Sequence, residues 1–220
     1  MLYIVSTPIG NLKDITLRAI ETLRTVDLIA AEDTRHTKIL CDHFQINTAL
    51  TSYFEHNKLK KGEYLLRLLK EGKNIALVTD SGTPGISDPG YNLIKLAQDN
   101  NITISVIPGA TALIAALSLS GLPSDRFVFE GFLPSKTKAR EEKLKSLKLE
   151  ARTIVIYESP YRLVKALQSI EEVLENPEVV VAREITKKFE ECKKGRASEL
   201  IQYFLAHRPK GEFVILLRLN

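Results

Sequence analysis

The 220-residue chain contains no tryptophan, one methionine, two cysteines and four histidines. Cys41 and Cys192 form no C-x-x-C pair and the histidines are scattered, so neither a disulfide framework nor a metal site is expected. No stretch approaches the ~20 apolar residues that span a bilayer. The start, Met1-Leu2-Tyr3-Ile4, lacks the basic-then-apolar layout of a signal peptide, so a cytoplasmic protein without membrane attachment is expected. Neither G-x-G-x-x-G nor G-x-x-x-x-G-K-[ST] occurs, so the dinucleotide fingerprint and the P-loop do not account for the glycines. Excess charge is missing from the first half: residues 1–120 hold 12 Lys/Arg against 12 Asp/Glu, and residues 121–220 hold 19 against 15. The whole net charge of +4 therefore lies in the second half, where it suits a polyanionic partner or a set of solvated helix faces.

Three of the eleven glycines and two of the nine prolines fall in one stretch. The apolar run Asn74–Thr79 reads as a buried strand and ends in Thr79–Gly90, TDSGTPGISDPG. Gly82, Gly85 and Gly90 permit positive φ and close approach of a ligand to the main chain, and Asp80 can accept hydrogen bonds from a hydroxyl or ammonium group. Two other strand-like segments, Leu2–Ser6 and Ile102–Ile107, end in comparable loops at Thr7–Asn11 and Pro108–Ala112. A fourth, Asp27–Glu32, runs into the charged segment Glu32-Asp33-Thr34-Arg35.

Helical spacing over Ile15–Val26, His36–Phe44, Lys58–Glu71, Tyr91–Asp99 and Thr111–Leu119 alternates with these strands, with a further short strand at Tyr53–His56. Such alternation predicts a mostly parallel sheet, whose ligands sit at the carboxyl ends of its strands. Ser120–Ser124 reads as a linker, giving domains 1–120 and 121–220. The second is richer in strand (126–133, 153–157, 178–184, 189–193, 211–219), with helices at 136–149, 161–174 and 197–207, so a mixed sheet is expected. The fold class is α/β.

The segments STPIGN, AEDTR, SGTPGISDPG, PGATA, FEGFLP, YESPYR, AREITKKFE and KGEF, in this order from Leu2 to about Leu217, resemble the ribosomal small-subunit RNA methyltransferase I family of the tetrapyrrole methylase superfamily. The resemblance implies a two-domain class III methyltransferase fold, a homodimer, and S-adenosylmethionine bound between the domains. It also implies methyl transfer to the 2′-hydroxyl of a cytidine in 16S ribosomal RNA, on naked RNA or the 30S particle. Carried over by position, Pro8, Asp80, Gly82, Thr83, Ala110 and Thr111 line the cofactor pocket, completed by Tyr157, Glu158, Ala182 and Ile185. Tyr161 stands where the family motif has histidine, so no imidazole chemistry is expected there. The chain stops after the KGE strand, where many relatives continue with a helical extension.

Methyl transfer from a sulfonium to an alcohol is an in-line displacement requiring alignment and removal of one proton. Asp33, Glu32 and Lys187 are the candidate bases; each also suits a structural or RNA-contacting role. Arg35 suits a phosphate, and Lys188, Lys193, Lys194 and Arg196 suit an RNA backbone. The alternatives are methylation of a small molecule such as a tetrapyrrole precursor, and a non-catalytic RNA-binding assembly factor.

Overall fold

A computed structural model of the chain describes residues 1–219. The chain divides into two compact units, Met1–Thr111 and Ala112–Asn220.

In the first unit five strands, β1 (Leu2–Val5), β2 (Leu28–Ala31), β3 (Leu50–Ser52), β4 (Ile75–Val78) and β5 (Ile104–Ile107), form one sheet in the order β3-β2-β4-β1-β5. Every pairing is parallel. Because side chains alternate across a strand, the sheet feeds two cores. Val5, Ile29, Ala31, Ala76 and Val78 pack on one face with Ala19 and Leu23 of α1 (Leu17–Thr25) and Leu40 and Cys41 of α2 (Thr34–His43). Leu2, Ala30, Ile75 and Leu77 pack on the other with Leu65 and Leu69 of α3 (Lys58–Lys70) and Leu93 and Ala97 of α4 (Gly90–Asp99). With both faces covered, β4 is buried throughout, which is why it reads as an unbroken apolar run. Thr16 caps α1, its hydroxyl accepting from Ala19 N at 3.1 Å.

The third strand lies earlier than Tyr53–His56. Leu50–Ser52 pair with Ile29–Ala31, and the chain then turns around Asn57, whose side chain accepts from Phe54 N (2.8 Å) and donates to Ser52 O (3.3 Å). Tyr53 N still donates to Ala31 O (2.7 Å), and only from Phe54 on does this turn take the chain out of the ladder.

In the second unit β6 (Phe127–Phe132), β7 (Thr153–Glu158), β8 (Glu178–Arg183), β9 (Glu191–Arg196) and β10 (Phe213–Leu217) form a mixed sheet in the order β6-β7-β10-β8-β9. Only β6 and β7 pair in parallel. Helices α6 (Thr137–Ser146), α7 (Leu163–Val173) and α8 (Ala197–Ala206) cover one face through Leu144, Leu167, Ile170, Leu200, Ile201 and Phe204. Helix α5 (Ala112–Ser120) packs on β7, β8, β9 and β10, so it belongs to this unit although it precedes the Gly121-Leu122-Pro123 turn. That turn marks the end of a helix; which sheet an apolar helix joins is decided by packing. The fourth strand of the second half is likewise later than 189–193, because Glu191–Arg196 pair with Arg183–Glu178.

Candidate functional site

In an all-parallel sheet every strand ends on the same edge, so the loops after β1, β2, β4 and β5 are neighbours in the first unit. Their contacts are specific. Thr7 N donates to Gly82 O (2.9 Å) and Gly82 N to Thr7 O (3.1 Å), an isolated antiparallel bridge that ties the β1 loop to the β4 loop. The Thr7 hydroxyl donates to Thr79 O (3.0 Å), and the Ser6 and Thr83 hydroxyls share a hydrogen bond of 2.8 Å. A Cβ built on Gly109 would lie 2.9 Å from Ser6 Cβ, closer than real side chains pack, so glycine is needed for the β5 loop to lie against β1.

Gly82 sits where three loops meet. Its φ is +83°, and a Cβ there would lie 3.7 Å from Ile9 Cγ2 and 3.9 Å from Ala110 O, in a niche walled by the β1 and β5 loops. Gly85 (φ +93°) and Gly90 serve a different purpose: their amides donate to the Asp88 carboxylate, which shapes the loop end that starts α4. Pro8 is buried in the β1 loop; Ala110 and Thr111 close the β5 loop.

The β2 loop joins through its carboxylates. Thr79 Oγ1 donates to Glu32 Oε2 (2.6 Å), and Asp33 N donates to Asp80 Oδ1 (3.1 Å). Asp33 caps α2 by accepting from Arg35 N (2.8 Å) and holds the Arg35 guanidinium in a two-pronged pair at 3.1 and 2.7 Å. The hydrogen bonds from the Arg35 side chain and then its amide hold the Asp33 carboxyl well below the usual carboxylate range. Burial pushes Asp80 the other way, assisted by the charges of Glu32 and Asp33 and opposed by the Asp33 amide. Oδ2 of Asp80 has no hydrogen-bond partner among the described residues.

In the second unit the predicted residues lie near one end of the sheet. Tyr157 on β7 accepts from Leu113 N at 3.0 Å, and its ring packs edge-on against Phe129 and Phe132. Glu158 is fully buried: it accepts from Ser159 N (2.8 Å) and faces Arg162 Nε at 3.3 Å, while Arg162 donates to Leu133 O. Burial raises the Glu158 carboxyl, against the pull of Ser159 N and Arg162. Its side chain therefore braces the chain at Leu133. Ala182 is buried in β8, and Ile185 in the turn that follows, between Glu184 (φ +49°) and Thr186 (φ +69°).

Lys187 donates to Glu184 Oε1 (2.9 Å) and Glu212 Oε2 (2.7 Å). Burial alone would lower its pKa, but the two carboxylates outweigh it and raise the ammonium above its ordinary value. Both partners favour its charged form. The basic residues on β9 are split by the strand's period of two: Lys194 and Arg196 lie on one face with Cys192, and Lys193 lies on the other, over the Tyr203 ring at 4.1 Å. Lys188 stands exposed beside Phe189. Ser6, Thr7, Thr79 and Gly109, which hold the loops together, were not among the expected site residues; the hydroxyls closing β1 and β4 were the available signal.

Residues 1–201 match the family model of tetrapyrrole (corrin/porphyrin) methylases. The chain is 53% identical over 218 residues to ribosomal RNA small subunit methyltransferase I of Synechocystis, covering 99% of this chain and 78% of that protein. It is 51% identical to the protein of the same name from Escherichia coli O157:H7, covering 98% and 77%. Uroporphyrin-III C-methyl transferase from Thermus thermophilus, solved in complex with S-adenyl homocysteine, aligns over 99% of this chain and 97% of its own with a TM-score of 0.68, at 18% identity, which is a likeness of fold. The chain thus belongs to the tetrapyrrole methylases and, within them, to the ribosomal RNA small subunit methyltransferase I family.

Proposed function

We propose that this protein methylates 16S ribosomal RNA of the small subunit with S-adenosylmethionine as donor, at the 2′-hydroxyl of a cytidine. The observation that carries the reading is identity of about half the residues, over almost the whole chain, with proteins named as ribosomal RNA small subunit methyltransferases; the cytidine 2′-hydroxyl is what the family resemblance implies. The tetrapyrrole alternative rests on membership of the broad family and on fold likeness at 18% identity, a more distant relation.

The residues of the first unit fit the donor. The niche at Gly82 is space that a side chain would fill, and Asp80 offers a carboxylate oxygen to an ammonium or ribose hydroxyl. When bound, S-adenosylmethionine supplies a methyl group on a sulfonium, a carbon already activated for displacement. Pro8, Asp80, Gly82, Thr83, Ala110 and Thr111 would hold it, and the Thr7–Gly82 and Ser6–Thr83 ties fix their loops to one another, so that alignment is built before substrate arrives. In the second unit Tyr157, Ala182 and Ile185 contribute their surfaces, and Glu158 acts by fixing Arg162 and Leu133.

Among the candidate bases, Asp33 is held ionised by Arg35 and Lys187 is held protonated by Glu184 and Glu212, so both are poor proton acceptors. Glu32 is the remaining candidate, and its oxygen already accepts from Thr79. Arg35, with its side chain largely exposed, is free to meet a phosphate on its outer face. A cytoplasmic homodimer is part of this reading through family membership. Incubating the protein with methyl-labelled donor and 30S subunits, then digesting the RNA to nucleosides, should yield 2′-O-methylcytidine. An unlabelled RNA, or label confined to a base position, would refute the reading.

A further inference from the structure

At the end of the second sheet opposite Glu158 and Ile185, where β8 begins and β9 and β10 finish, an open groove of about 950 Å³ is lined by Lys148, Lys194, Arg196 and Arg218 together with Glu175 and Glu178. The pairing registers explain the row. Leu217 faces Val179, which faces Gly195, and Glu178 faces Arg196; Arg218, the residue directly after β10, lines the same groove. Cross-strand neighbours share a face, and Lys194, two residues before Arg196, shares it too. Four cations thus converge against two carboxylates.

The pairs they make are of the kind that yields. Lys194 meets Glu178 at 2.8 Å and Lys148 meets Glu175 at 3.0 Å, with all four side chains at least 45% exposed. Such exposed pairs add little to stability and exchange readily for a phosphate. Arg196 gives one donor to Asn176 O (3.2 Å) and keeps the rest of its fork; Arg218 is exposed and makes no ion pair among the described residues. Two guanidiniums with unused donors in an open trough suit the phosphodiester backbone of a long polyanion better than an enclosed small anion.

We propose that this groove is a second RNA-binding site, an anchor for the ribose-phosphate backbone. It rests on the reading that the substrate is ribosomal RNA. The strands that separate the groove from Glu158 and Ile185 are six residues long, or about 20 Å at ~3.3 Å per residue. An anchor at that remove from this end of the sheet sets affinity and register, and does not enter the chemical step.

The test uses the Lys194→Ala/Arg218→Ala double variant, with Lys165→Ala on the exposed face of α7 as control. Binding to protein-free 16S RNA and to 30S subunits is measured across salt, alongside methylation kinetics and S-adenosylmethionine affinity. The double variant should flatten the log–log salt slope by about one to two units and raise KM for the RNA substrate about tenfold or more. Its kcat should stay within about twofold and its donor affinity should not change, as for the control. An unchanged slope and KM would overturn the proposal. A defect on 30S subunits with none on protein-free RNA would assign the groove to a ribosomal protein and overturn it as well. If the unsubstituted protein binds RNA through the groove but transfers no methyl group to it, the proposed function fails and the groove stands.

Discussion

The niche at Gly82 can be tested against an internal standard. Gly72, in the turn after α3, has φ +87°, nearly that of Gly82, but a Cβ built there meets nothing within 4 Å. Alanine at either position must adopt the left-handed region, at a cost of about 1–2 kcal/mol. For a chain of this size that corresponds to a fall in Tm of roughly 2–8 °C, so Gly72→Ala and Gly82→Ala should destabilise by similar amounts. The added methyl at Gly82 lies at ordinary contact distance from Ile9 and Ala110 O, so it brings no overlap of its own; it only occupies space. If that space is for the donor, S-adenosylmethionine affinity measured by isothermal titration should fall at least tenfold in Gly82→Ala, about 1.4 kcal/mol or more, and stay unchanged in Gly72→Ala. Retention of affinity within about twofold in Gly82→Ala would reduce the loop to a turn and sink the assignment. Valine at the same position is a less clean probe, because a β-branched residue at positive φ adds strain that alanine avoids.

Other substitutions separate roles that the loops combine. Asp80→Asn should lose donor affinity while leaving Tm at pH 7 unchanged or slightly higher: a carboxyl with a raised folded-state pKa contributes stability only at low pH and loses it as pH rises through that value. A clear drop in Tm at pH 7 would contradict this. Asp33→Asn should act oppositely, lowering Tm at neutral pH by a margin that closes as pH falls through and below the ordinary carboxylate range, because its folded pKa is depressed. It should also keep single-turnover methylation within a few-fold, and abolished turnover with RNA affinity intact would restore Asp33 as the base. Gly109→Ala should cost about 1–3 kcal/mol by pressing on Ser6, measured by denaturant unfolding, and an unaltered midpoint would show that the β1 and β5 loops part freely. Lys187→Met should lower Tm most below the ordinary lysine range, the difference shrinking only at strongly alkaline pH.

Much of this was legible in the chain itself. The unbroken apolar run Ile75–Val78, closed by TDSGTPG, announces a strand buried on both faces and ending in a loop with left-handed glycines, because burial and positive φ are requirements that single residues express. The alternation of strands and helices then puts the loops after β1, β4 and β5 on one edge, since parallel strands all finish on the same side. What the chain could not state were relations between residues far apart. The charges of AEDTR look equally available in sequence, yet folding holds Asp33 in Arg35's fork and turns Asp33 N and Thr79 Oγ1 toward Asp80 and Glu32 across 47 residues. The burial of Glu158 against Arg162 is likewise invisible in the chain, and KKGR looks like one basic patch until a pairing register sends Lys193 to one face and Lys194 and Arg196 to the other. Local conformation is written in local residue type, but the pKa of a carboxylate and the face a lysine occupies depend on which distant atoms the fold brings beside them, and that only the tertiary structure decides.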